Sequence, residues 1–171
     1  MKKLLFFILF CSPVSIMAQP LSFTGIVSLK DTTLTKDELY ARGVLWVTSG
    51  TFKSPGDILK MSDKKTGIIQ GSGSMHHQHI GGGVPGSYAS GYITFNFKLY
   101  VKDSKYKYEF SDFVHHGVSE GYSYGLVNDG ECNKKFWKKY YVQIRKTINT
   151  EVASMLKSLE SFMNSGVNNN W

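Results

Sequence analysis

Residues 92–102, YITFNFKLYVK, alternate strictly between apolar and polar or amphipathic side chains. In an extended strand successive side chains point to opposite faces, so Ile93, Phe95, Phe97, Leu99 and Val101 share one face and Tyr92, Thr94, Asn96, Lys98 and Tyr100 the other. Each apolar side chain contributes roughly 1.5–3 kcal/mol when fully buried, enough for this face to anchor a core. The opposite face is polar and rich in tyrosine. That pattern fits an antiparallel sheet covered on one side and wetted on the other.

Working outward, Asp103 and Ser104 turn this strand into Lys105–Phe113, where Tyr106, Tyr108 and Phe110 alternate with Lys107, Glu109 and Ser111; the two strands read as a hairpin. Upstream lies a glycine-rich loop, His79–Gly91. Before it stand two short strand patterns, Asp57–Met61 and Gly67–Met75, joined by the polar turn Asp63–Thr66. The second carries Gly67, Gly71 and Gly73, so its pairing is weakly specified unless something packs tightly over it. Phe23–Leu29 is the first strand. Thr35 and Glu38 form a T-x-x-E capping box that starts a helix through about Val47, with Leu39, Gly43, Trp46 and Val47 on one face. Gly117–Gly130 has no clean period and reads as an irregular loop. A long helix from about Lys134 to Met163 closes the chain, with Phe136, Tyr140, Ile144, Ile148, Val152, Met155, Leu159 and Phe162 at helical spacing.

The ends of the chain set its compartment. Lys2 and Lys3 precede the apolar run Leu4–Phe10, too short to span a bilayer, and Ala18 supplies a small residue before a cleavage point. Residues 1–18 thus read as a signal peptide, with Gln19 as the mature start. Cys11 offers the alternative of a lipid anchor, but bulky Phe10 stands where a small residue is expected. Residues 19–165 then make one domain large enough to bury a core without staples, and residues 166–171 a disordered tail. Loss of Lys2 and Lys3 lowers the formal charge from +7 to +5. That excess favours anionic surfaces such as phospholipid headgroups or acidic glycans, and nucleic acid is not the expected partner of an exported chain. Only Cys132 remains after processing, so no intramolecular disulfide can form.

Three segments, Thr35–Val47 (TKDELYARGVLWV), Asp63–Gly73 (DKKTGIIQGSG) and Tyr100–Phe113 (YVKDSKYKYEFSDF), resemble the exported bacterial family called domain of unknown function 4468. The resemblance covers roughly Phe23–His116. It implies an α+β domain of TATA-binding-protein-like fold, β-α-β-β-β-β-α, with two helices packed on one face of an antiparallel sheet. It implies no catalytic residue.

Two histidine clusters, His76, His77 and His79, and His115 and His116, end two of the strands. His77 and His79 point the same way on a strand, so His77, His79, His115 and His116 are candidate metal ligands if the strand ends meet. No acid or thiol stands at metal spacing beside them, and no cofactor is expected. Two overlapping G-x-S-x-G matches place Ser119 and Ser123 as candidate nucleophiles of a hydrolase, yet no helix pattern follows and every histidine lies upstream. Gly81, Gly83 and Gly86 satisfy G-x-G-x-x-G but lead into a strand, which removes the helix terminus that would hold a phosphate. Tyr92, Asn96, Lys98 and Tyr100 on the wet face, with Tyr122 and Tyr124 in the loop beyond, form the candidate surface for a protein, peptide or glycan of the cell envelope. The leading expectation is a non-enzymatic binding module. A metal-dependent or serine hydrolase and a membrane-surface protein using the lysines of the last helix are the alternatives.

Overall fold

A computed structural model of the chain describes residues 19–49, 59–79, 90–132 and 134–165. The expected leader, most of the glycine-rich loop and the tail lie outside those residues. The elements run β1 (Phe23–Ser28), α1 (Lys36–Thr48), β2 (Leu59–Asp63), β3 (Ile68–His77), β4 (Gly91–Lys102), β5 (Lys105–Gly117), β6 (Gly125–Leu126) and α2 (Lys138–Asn164). The strands form one antiparallel sheet in the order β1-β5-β4-β3-β2, with β6 paired to the far end of β5. This is the expected α+β order with one addition, the two-residue β6 inside the segment read as an irregular loop.

The capping box forms as its spacing requires: the Glu38 N–H donates to Thr35 Oγ1 at 3.3 Å and the Thr35 N–H to Glu38 Oε2 at 2.9 Å. Asp103, in the β4–β5 turn, accepts the Lys36 N–H at 2.7 Å and so ties the start of α1 to the sheet. Leu39, Gly43, Trp46 and Val47 are buried as read from the sequence, and Arg42 joins them. Its guanidinium donates to the Met163 carbonyl near the end of α2, giving a buried charge a partner and the helix end a cap. The bare Gly43 lets α1 lie close to the sheet, since a Cβ there would stand 2.7 Å from Ile69 Cδ1 and 2.8 Å from Leu99 Cδ2.

The glycines of β3 are matched by rings. Gly71 pairs with Phe97 and Gly73 with Phe95, so a bulky side chain on β4 stands beside each bare position, and Trp46 meets Phe97 edge-on at 6.0 Å. Gly25 in β1 is covered in the same way by the Tyr108 ring of the paired strand. Gly67 has a different task. It takes φ +72° in the β2–β3 turn, and a Cβ there would lie 2.5 Å from the Val101 carbonyl oxygen, a backbone atom that cannot swing away. Gly67→Ala is expected to lower stability by about 2 kcal/mol, measured by urea denaturation. An unchanged midpoint would mean that the turn relaxes freely.

Along α2 the buried residues are Tyr141, Ile144, Ile148, Val152, Met155, Leu159 and Met163. The ends of the expected stripe are corrected: Phe136 is exposed, and Tyr140 and Phe162 are only half-buried. Phe136 sits in a separate 3-10 turn, Lys135–Trp137, whose tighter pitch takes it out of phase with the helix.

Candidate functional site

Both helices lie on the face formed by Ile69, Met75, Ile93, Phe95, Phe97 and Leu99, all buried. The other face carries Tyr92, Asn96, Lys98 and Tyr100 from β4, as the alternation predicts, and among the described residues no second layer of secondary structure covers it. Large apolar side chains stay in water on its border strands, Ile26 at 71% exposure on β1 and Met61 at 42% on β2, with Tyr92 at 45% between them. Beside Tyr100, Lys107 and Glu109 form an ion pair; Tyr100 Oη donates to Glu109 Oε2 at 3.3 Å, and Lys107 Nζ lies 5.4 Å from the tyrosine ring centroid. The Lys107 bond holds the Glu109 carboxyl below its ordinary range.

A β-bulge in β5 shapes the middle of this face. Asn96 pairs with Ser111 but Thr94 with Val114, so Phe95 stands opposite two residues, Asp112 and Phe113. Asp112 absorbs the extra residue at φ +57°. Its Oδ2 accepts from Asn96 Nδ2 at 2.9 Å and from Ser111 Oγ at 3.0 Å. Around it lies a depression of about 310 Å³, bordered by Lys60, Gln70, Asn96, Lys98, Ser111 and Asp112.

The same bulge sorts the histidines. Phe113 and His115 turn into the core, whereas His116 stays on the open face, stacked on Tyr92 at 4.7 Å with its Nε2 3.1 Å from Thr94 Oγ1. His77 and His115 do meet beneath the sheet, their rings perpendicular at 5.3 Å. His115 Nδ1 accepts the Tyr124 N–H at 3.1 Å, which leaves its proton on Nε2. His77 Nδ1 sits 2.9 Å from Thr147 Oγ1 on α2, and His79 packs at 4.8 Å on Tyr140. His77 Nε2 and His79 Nδ1 are buried without a hydrogen-bond partner among the described residues. The proposed ligand set is therefore split across the two faces of the sheet, and among the described residues no three His, Cys, Asp or Glu side chains are placed to hold a metal ion.

The serine motifs lack the setting of a nucleophile. Ser123 Oγ accepts the Gly117 N–H at 3.0 Å, and β6 follows it where an elbow requires a helix. Tyr124 must also be withdrawn from the candidate surface. It is 5% exposed, wedged between Trp137 and Tyr141, while Tyr122 is half-buried in the 3-10 turn Glu120–Tyr122. A larger groove, about 610 Å³, runs along the first half of α2 beside Cys132, but its Arg145 is engaged by Asp129 and by the carbonyls of Asn128 and Gly130.

A single antiparallel sheet, roofed on one side by two helices and, among the described residues, uncovered on the other, defines a TBP-like α+β domain. The chain belongs to the family described as domain of unknown function (DUF4468) with TBP-like fold, whose model matches residues 23–116. It is similar in structure to a DUF4468 family protein from Bacteroides ovatus ATCC 8483, with a TM-score of 0.57 at 10% identity over 87% of this chain and 89% of that one. It is also similar to a TBP-like protein from Parabacteroides distasonis ATCC 8503, with a TM-score of 0.54 at 15% identity over 82% of this chain and 93% of that one. At such identities the likeness is one of fold. No curated protein matches the sequence.

Proposed function

We propose that this domain is an exported, non-enzymatic binding module of the bacterial cell envelope that meets its partner through the open face of the sheet. The observation that carries this reading is the unroofed row Tyr92, Asn96, Lys98 and Tyr100, set between apolar side chains that remain exposed on the border strands. Aromatic and amphipathic groups of this kind gain from partial desolvation by a partner while keeping their polar ends satisfied. Export rests on the leader pattern of residues 1–18, and a mature N-terminus at Gln19 in mass spectrometry is its test.

The binding reading is tested by immobilising the protein and measuring retention of cell-envelope glycan and protein fractions. Exchanging Tyr92 and Tyr100 together for alanine should leave the melting temperature nearly unchanged, because both side chains face away from the core, and should cut retention at least about tenfold. Equal retention by the variant, or none by the parent protein, overturns the reading.

A further inference from the structure

From the depression around Asp112 we infer an acidic sugar residue of a polysaccharide, of the uronic acid type, as the ligand of the open face; this rests on that face being the binding surface. The first support is the bulge itself. A residue held at positive φ in the middle of a strand is most cheaply glycine, yet this chain carries a carboxylate there. Asn96 and Ser111 both donate to its Oδ2, which fixes the group, and Oδ1 has no partner among the described residues. A carboxylate oxygen presented in this way accepts a hydrogen bond from a hydroxyl.

The second support is the charge around it. Lys60 and Lys98 border the same depression, and neither is in an ion pair among the described residues. The Asn96 and Gln70 amides add neutral hydrogen-bonding groups at the rim. A bare inorganic anion would be repelled by Asp112, and a cationic ligand by the two lysines. A ligand with hydroxyls on one side and a carboxylate on the other satisfies both. An acidic peptide fits less well, because strand-like peptide docking needs the free backbone of a sheet edge, and the depression is centred on interior strands.

The third support is extent. Tyr92, stacked on His116, and Tyr100 stand on the same face eight residues apart, about 27 Å along the strand. Flat aromatic surfaces at both ends of a polar dish suit a chain of sugar rings whose C–H faces lie on the aromatics.

The test is binding of polygalacturonate to the full chain by calorimetry, with dextran as the neutral polysaccharide and poly-L-glutamate as the anionic polymer without hydroxyls. Asp112→Gly keeps the backbone geometry and removes the carboxylate; Lys98→Glu reverses one cation. Polygalacturonate should bind, each substitution should weaken it about tenfold or more, and the other two polymers should bind at least about tenfold more weakly. Equal binding of dextran or of poly-L-glutamate, full affinity in Asp112→Gly, or no binding of polygalacturonate each overturns the inference. Absent polygalacturonate binding with tyrosine-dependent retention intact removes only the ligand class; loss of both removes the open-face reading as well.

Discussion

Replacing Phe113 by alanine is expected to cost about 3–5 kcal/mol, and replacing its neighbour Val114 by alanine no more than about 1 kcal/mol. Phe113 is fully buried, edge-on to Phe23 at 5.7 Å and nearly parallel to Phe95 at 5.8 Å, so its removal opens a cavity in the core between these rings. Strict alternation from Phe110 would predict the reverse order, with Asp112, Val114 and His116 inside. The extra residue at Asp112 re-phases the strand and keeps a carboxylate out of the core at the cost of one left-handed backbone conformation. In thermal denaturation the Phe113 variant should melt about 10 °C or more below the parent, and the Val114 variant within a few degrees of it. A larger loss at Val114 would mean a regular strand, with the candidate site around Asp112 dissolved.

That bulge marks the boundary of what the sequence discloses. The face of β4 and the start of α1 are legible because each rests on a local rule: period two for the strand, and a side chain capping its own helix for Thr35 and Glu38. The pairing of Phe95 and Phe97 with glycines is hinted at by the glycine spacing but depends on a register set by a partner strand 22 to 26 residues away. A one-residue slip has no such local signature. Asp112 looks like any polar residue at a strand end, so which of His115 and His116 turns into the core cannot be told before the register is known. The fate of Tyr124 is similar: β6 returns the chain along β5 and places this ring over the buried end of the sheet, a tertiary consequence that a glycine-rich stretch does not announce. Arg42 left a fainter trace, a lone cation within an apolar helical stripe, and its partner is a carbonyl 121 residues further along. For the candidate site, Asn96 and Lys98 were readable from alternation alone, whereas Lys60, Gln70 and Asp112 join them only through cross-strand pairing.

Between pH 7 and pH 5 the domain is expected to lose about 2 kcal/mol of stability through one ring, that of His77. Burial first, and then the neighbouring imidazoles of His115, His79 and His76, lowers its pKa from 6.5 to about 4. The ring is fully buried, with Thr147 as its hydrogen-bond partner and Nε2 without one among the described residues, so a proton placed there meets no carboxylate among them. As the pH falls through 6.5 the unfolded chain takes up this proton and the folded chain does not, so the unfolded state gains. The loss grows until the pH reaches about 4 and then stops, amounting to about 3 kcal/mol in all. Carboxylates act further down the scale, since Asp31, Glu38, Asp63 and Glu109 accept bonds from Thr33, Thr35, Thr66 and Lys107 that hold them below the ordinary carboxylate range. His77→Phe keeps an aromatic ring at this position without a titrating group. Urea denaturation at a series of pH values should show a stability that falls steeply with acid in the parent protein and much less in this variant over the same interval. Equal slopes in the two would place the proton uptake elsewhere and overturn the assignment to His77.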